Sequence, residues 1–208
     1  MTAARPAGAS AVNTHPRPGV LTDECGVTDL ARLIRAAQEG DRLAFGELYA
    51  AYARAVHGIV LSRVPRADVD DLVQDVFVIA MQRVGTLRDP ASFGGWLAAI
   101  ARNRATDYLR RMPPTKELTD ELLDDEPDRS RGFSVRTASA PDRLEALAVL
   151  AAIRALPDAY RETLVLRLVE GMTGPEIAAR TGLTAASVRV NLHRGMKQLR
   201  ERLRGSYE

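Results

Sequence analysis

The stretch EGMTGPEIAARTGLTAASVRVNLHRGMKQLR, Glu170 to Arg200, decides the fold of the C-terminal part of the chain. Pro175 sits where the first turn of a helix needs no N–H donor, and Ile177 with Ala178 offers a small apolar face to a neighbouring helix. Gly182 permits the positive φ of a tight turn, and the Thr184 hydroxyl is placed to cap the next helix. In that helix Val188, Leu192, Met196, Leu199 and Leu203 fall on one arc. The opposite side collects Ser187, Val190, Asn191, His193, Arg194, Lys197 and Glu201, with Arg189 at the boundary. Two helices about a glycine turn, the second basic on its outer face, predict a helix-turn-helix. Its guanidinium, amide and imidazole groups suit base edges and phosphates.

Charge is distributed to match. The 208 residues carry a net charge of only +2, yet six Arg or Lys face two acids from Leu183 onward. Met112 to Asp142 reverses the balance, with four basic and eight acidic residues. Nucleic-acid contact is therefore expected to be local. The single cysteine, Cys25, forms no internal disulfide, and His15, His57 and His193 are too far apart for a zinc finger. No metal and no cofactor are expected. Neither a membrane-length apolar run nor a signal-peptide order is present, so the expected location is the cytoplasm, without membrane insertion. No nucleophile–base pair or glycine-rich phosphate loop points to a catalytic residue, and an enzyme is not expected.

Upstream, residues 1–28 have the Ala-, Pro- and Gly-rich composition of a disordered tail. Helical periodicity begins after them. Leu30, Leu33, Ile34 and Ala37 form a first face before Gly40; Phe45, Leu48, Tyr49, Tyr52, Val56 and Ile59 form a second that stops before Pro65. A third helix, Ala67 to Val84, sets Val69, Val73, Val76, Phe77, Ala80 and Val84 against Asp68, Asp71, Asp75 and Gln82. Asp89-Pro90 marks a turn before a fourth helix with Phe93, Trp96, Leu97, Ile100 and Tyr108. Residues 112–141, punctuated by Pro113, Pro114, Pro127 and Pro141, read as an acidic linker. Beyond it Leu144, Leu147, Leu150, Ile153 and Leu156 open a second helical domain, interrupted at Pro157. The expected fold is all-α: two small helical domains, 29–111 and 142–208, joined by a flexible acidic linker, with the helix-turn-helix in the second.

Three motifs in this order, DDLVQDVF at Asp70 to Phe77, FGGWLAAIARNRATDYLR at Phe93 to Arg110, and LPDAYRETL at Leu156 to Leu164 ahead of the helix-turn-helix, carry a family resemblance. The chain resembles the group IV, or extracytoplasmic function (ECF), sigma factors of bacterial RNA polymerase. The resemblance implies a region-2 domain over 29–111 and a region-4 domain over 142–208. It implies a non-catalytic subunit that binds core RNA polymerase through its β′ and β subunits and directs initiation at promoters. Asp71, Gln74 and Asp75 match the positions that contact the β′ coiled coil. Arg102, Asn103, Thr106 and Arg110, on one face of the fourth helix, match the surface that holds the unpaired −10 strand; Asn103 matches the asparagine near the flipped base, and Leu87 to Phe93 the loop that builds its pocket. Ser187, Arg189, Val190, His193, Arg194 and Lys197 are the expected contacts to −35 duplex, although Val190 and Asn191 depart from the more polar or basic residues often present there and His193 is not the commonest choice. Trp96 can be read as a stacking platform or as core, and core is favoured. The linker acids Glu117, Asp120, Glu121, Asp124, Asp125, Glu126 and Asp128 can be a solvated spacer or an imitation of nucleic acid. An anti-sigma partner is an expectation of the resemblance alone. The rival reading is a free-standing helix-turn-helix repressor or activator, which would bind a two-fold duplex site without polymerase.

Overall fold

The computed structural model describes residues 24–112 and 140–205. Asp41 starts the longest helix of the first half: its carboxylate accepts from the Leu43 and Ala44 N–H groups at 2.8 and 3.2 Å. Gly40, at φ +96°, makes the turn before it. The apolar runs become α1 (Glu24–Gln38), α2 (Arg42–Leu61), α3 (Val69–Arg83) and α4 (Phe93–Arg111). One-turn 3-10 segments at Arg66–Asp68, Val84–Thr86 and Pro90–Ser92 join the last three. The second half is α5 (Ala140–Arg154), α6 (Asp158–Leu168), α7 (Gly174–Thr181) and α8 (Ala185–Gly205), and no strand occurs among the described residues.

Two boundaries differ from expectation. Helix α1 begins at Glu24, inside the stretch 1–28 expected as a tail; once the Ile34 and Ala37 face is packed, each added residue extends a nucleated helix at the gain of a hydrogen bond. The third helix is shorter than Ala67 to Val84, because both ends tighten into 3-10 turns. The rest of the tail and the acidic stretch 113–139 lie outside the described residues.

Packing follows the apolar arcs. Ile34, Leu48, Tyr52, Val56, Ile59, Val73, Val76, Phe93 and Leu97 are buried in the first half, and Ile153, Leu164, Leu166, Ile177, Val188 and Leu199 in the second. Tyr52 packs edge-on against Phe93 with ring centroids 4.9 Å apart. Trp96 is half-buried against this core, its ring 5.7 Å from that of Phe93, which agrees with the core reading.

The two halves are packed on each other, which periodicity alone had not foretold. Helix α6 lies on α2, and α7 on α4. A Cβ at Gly58 would stand 2.7 Å from the Leu166 Cδ2, and one at Gly94 would stand 2.4 Å from the Ala179 carbonyl oxygen. Gly182 at φ +74° meets the Gly95 backbone, where an added Cβ would lie 2.7 Å from the Gly95 Cα. Glycine at both sides of the α4–α7 contact lets the backbones approach to a distance that side chains forbid.

Candidate nucleic-acid and polymerase interfaces

The helix-turn-helix is held by local chemistry. Thr173 caps α7 reciprocally: its hydroxyl accepts from the Glu176 N–H at 3.4 Å, while the Glu176 carboxylate accepts from the Thr173 N–H and hydroxyl at 2.7 Å each. Those bonds from Thr173 hold the Glu176 carboxyl below its ordinary range. The T-x-x-E spacing of Thr173 and Glu176 is the sequence signature of this box, a start signal beyond that of Pro175. Pro175 occupies the first turn and Gly182 ends the helix in the left-handed conformation, both as expected. The Thr184 hydroxyl then accepts from the Ser187 N–H at 3.1 Å, starting α8.

In α8, Val188 and Leu199 are buried and Leu192, Met196 and Leu203 pack against the core, so the expected apolar arc faces inward. Gly195 is buried where a Cβ would come within 3.1 Å of Tyr160 and Leu164, which brings α8 close to α6. Ser187, Arg189, Val190, His193, Arg194 and Lys197 all lie exposed on the outer face. They form one continuous exposed stripe, polar and basic except for the apolar Val190.

On α3, Asp71 and Gln74 are exposed. Asp75 is half-exposed and accepts from the Arg104 guanidinium of α4 at 2.5 and 3.1 Å. The arrangement fixes α3 against α4 and leaves Asp75 already paired within the chain. Val78 and Met81, unremarked in the sequence, continue the same face one and two turns further on and are 45% and 51% exposed. An acidic face that runs into exposed apolar side chains suits a protein partner better than solvent alone. Tyr108 joins the start of α3 to α4: burial and a hydrogen bond to Asp68 push its hydroxyl up to about 12.

The α4 face is divided. Asn103, Thr106 and Arg110 are exposed; the Thr106 hydroxyl donates back to the Arg102 carbonyl at 2.8 Å, and Arg110 stands 3.8 Å from Asp107. Arg102 does not share that open surface. Its Nε and Nη2 donate to the two carboxylate oxygens of Glu162 on α6 at 3.0 and 2.7 Å, with Nη2 also 3.4 Å from the Thr181 carbonyl. Glu162 is almost fully buried, and Arg63 Nη1 reaches it at 2.9 Å from the end of α2. The expected grouping of four residues is thus three in solvent and one held by the other half. The cause is a carboxylate 60 positions away in sequence, which no helical projection brings into view.

The turn that leads into α4 is braced from α1. The Gln38 side chain donates to the carbonyls of Val84 and Leu87 at 3.0 and 2.7 Å. Asp89 accepts from the Ala91 N–H at 3.0 Å and the Ser92 hydroxyl at 2.7 Å, and these bonds, the serine's first, lower its carboxyl pKa. Further contacts bridge the halves. His57 Nδ1 lies 2.6 Å from the buried Glu170, and Arg180 sits over the Tyr52 ring at 4.2 Å. Burial raises the Tyr52 hydroxyl and Arg180 partly offsets it. Arg154 donates to the Leu61 and Val64 carbonyls. Among the described residues no cluster of His, Cys, Asp or Glu is placed to hold a metal ion, and no helix is long and apolar enough to cross a membrane.

Comparison with known proteins is consistent across both halves. The models of Sigma-70 region 2 and Sigma-70, region 4 match residues 48–112 and 146–199. The chain is 31% identical over 189 residues to the ECF RNA polymerase sigma factor BldN of Streptomyces coelicolor, covering 89% of this chain and 69% of BldN. It is 31% identical over 175 residues to the ECF RNA polymerase sigma-E factor of Escherichia coli (strain K12), covering 80% of this chain and 90% of that protein. Among solved structures, CnrH in complex with the cytosolic domain of CnrY is similar at TM-score 0.57 and 28% identity, over 85% of this chain and 98% of that one. RpoE of Bartonella quintana, in complex with the anti-sigma factor NepR, shares the fold at TM-score 0.50 and 17% identity, over 77% of this chain and 96% of that one.

Proposed function

The chain belongs to the extracytoplasmic function sigma factors of the sigma-70 family, and from that membership we propose how this RNA polymerase sigma factor divides its work among α3, α4 and α8. Helix α8 reads −35 duplex through Ser187, Arg189, Val190, His193, Arg194 and Lys197. Helix α4 holds the unpaired −10 strand through Asn103, Thr106, Arg110 and, once released, Arg102. Helix α3 docks on core polymerase through Asp71, Gln74 and Asp75, on the β′ side, with Val78 and Met81 adding apolar contact. Sigma factors are DNA-recognition subunits without enzymatic activity, so polymerisation belongs to the core enzyme, and the place of action is the cytoplasm. A protein partner that covers both halves, an anti-sigma factor, is part of the same reading; the similarity to CnrH, which was solved with the cytosolic domain of CnrY, supports it.

The observation that carries the reading is the outer face of α8: Ser187, Arg189, Val190, His193, Arg194 and Lys197 are exposed together on a helix whose other side is buried. A free-standing repressor is not favoured, since the relatives match over both halves and are sigma factors.

The test separates the two DNA faces. An amide aimed at a flipped base acts only after the duplex opens, whereas a guanidinium on a recognition helix acts on closed duplex. With holoenzyme, Asn103→Ala is expected to weaken capture of single-stranded −10 DNA and to leave −35 duplex binding unchanged. Arg194→Ala is expected to do the reverse, losing about 1–3 kcal/mol if its contact is bidentate to guanine. Equal loss of both activities in each variant overturns the division of labour.

A further inference from the structure

Arg63 has no role in the reading above, yet it is the more deeply placed of two guanidiniums that converge on one carboxylate. Its side chain is 12% exposed, that of Arg102 is 30% exposed, and that of Glu162 between them is 6% exposed. Arg102 engages both carboxylate oxygens as a fork, and Arg63 adds a bond to Oε2 at 2.9 Å. Among the described residues, the carboxylates that face the pair are Glu162 and, at 3.9 Å from Arg63, Asp158. Both belong to α6. Among the described residues, the half that carries Arg63 and Arg102 supplies a hydroxyl, Ser62 Oγ at 2.9 Å from Arg63 Nη1, and no carboxylate to the pair.

Three guanidiniums, those of Arg63, Arg102 and Arg161, face the two carboxylates of Glu162 and Asp158, so the cluster keeps one positive charge beyond its carboxylates. Planar guanidiniums that converge on one carboxylate suit an oxyanion with more than two oxygens. A buried ion cluster adds little net stability, but stripping its carboxylate without replacement leaves two uncompensated charges. A phosphodiester that takes the place of Glu162 removes that penalty, so exchange is far cheaper than simple opening. Asn103 follows Arg102 on α4, about 100° round the helix, and is exposed.

We propose that Arg63 and Arg102 together form a phosphodiester site for the unpaired promoter strand, and that Glu162 occupies this site as an internal competitor while the two halves are packed. The proposal rests on the reading of α4 as the strand-binding helix. It adds Arg63 to that surface and gives α6 a masking role.

The probe is a fluorescein-labelled single-stranded DNA of randomised sequence, titrated into the full chain at several potassium chloride concentrations and read by anisotropy. Glu162→Gln is expected to bind about tenfold more tightly than wild type, the worth of one charge-assisted contact removed from competition. Because that variant leaves two guanidiniums sharing a neutral amide, Gly94→Ala opens the halves by a second route: its Cβ meets the Ala179 carbonyl oxygen at 2.4 Å while Glu162 stays intact. It is expected to tighten strand binding in the same direction. In the Glu162→Gln background, Arg63→Ala and Arg102→Ala are each expected to reduce the slope of log affinity against log salt by about 0.7, the value of one phosphate contact on a single strand. Unchanged affinity in both opened variants overturns the masking, and an unchanged salt slope with Arg63→Ala overturns the site. If strand binding depends on Asn103 but ignores Arg63 and Glu162, this inference alone fails. If no variant of the free chain binds the strand while the holoenzyme still captures it through Asn103, this inference alone fails; if the holoenzyme does not capture it either, the assignment of α4 fails and takes this inference with it.

Discussion

Replacing Gly182 with alanine probes the packing of the two halves more sharply than removing any apolar side chain. Gly182 has φ +74°, and the Cβ of alanine would stand 2.7 Å from the Gly95 Cα, a backbone atom that no rotamer change can move. Two costs therefore add. The left-handed backbone costs an L-residue about 1–2 kcal/mol, and the overlap with α4, relieved only by displacing one helix, costs roughly 1–3 kcal/mol more. Gly40 and Gly171 supply the control. They have φ +96° and +65°, and an added Cβ meets nothing within 4 Å at Gly40 and only the Arg54 Nη2 at 3.6 Å at Gly171. Gly40→Ala and Gly171→Ala are expected to show the backbone cost alone. For a chain of this size about 1 kcal/mol shifts the thermal midpoint by roughly 2–4 °C. Thermal unfolding followed by circular dichroism is then expected to place Gly182→Ala below both controls by about 2–12 °C. A Gly182→Ala midpoint equal to those of the controls refutes the reasoning, because it means that α7 and α4 do not meet at this point in solution.

Asp71→Lys is expected to abolish co-elution with core polymerase while leaving helicity unchanged, since charge reversal on a docking face costs several kcal/mol; full holoenzyme assembly would contradict the assignment of α3. Thr173→Ala removes one side of the reciprocal cap and is expected to lower stability by about 1 kcal/mol, read by denaturant unfolding. The Glu176 carboxyl is held below its ordinary 4.5 by bonds from Thr173, so its ionised form stabilises the fold above that value, and the contribution is lost as pH falls through the depressed one. Glu176→Gln is accordingly expected to lose less stability than wild type between about pH 6 and about pH 3; parallel pH profiles would remove the cap from the account.

Much of the candidate site was legible because its causes are local. The acidic face of α3, the exposed stripe of α8 and the turn chemistry of Thr184 and Gly182 each depend on residues within one or two helical turns. The capping box at Thr173 was equally local and could have been read from its spacing. Val78 and Met81 were harder to see, since periodicity assigns apolar residues to a core by default and exposure of the second apolar strip on α3 emerges only after α2 and α4 have covered the first.

What the sequence by itself determined was the set of helices, their inward faces and the order of motifs that marks both sigma regions, because periodicity and capping act between neighbours in the chain. What only the tertiary structure decided was the meeting of distant groups. Arg102 reads as a solvent-facing cation on its own helix and becomes the partner of Glu162 when α6 packs on α2; His57 finds Glu170 across 113 positions in the same way. Charge is visible in a sequence, but which of many carboxylates meets a given guanidinium depends on the docking of whole helices. Here that docking turns on glycines at 94, 95 and 182, whose missing side chains admit an approach that no pattern of hydrophobicity records.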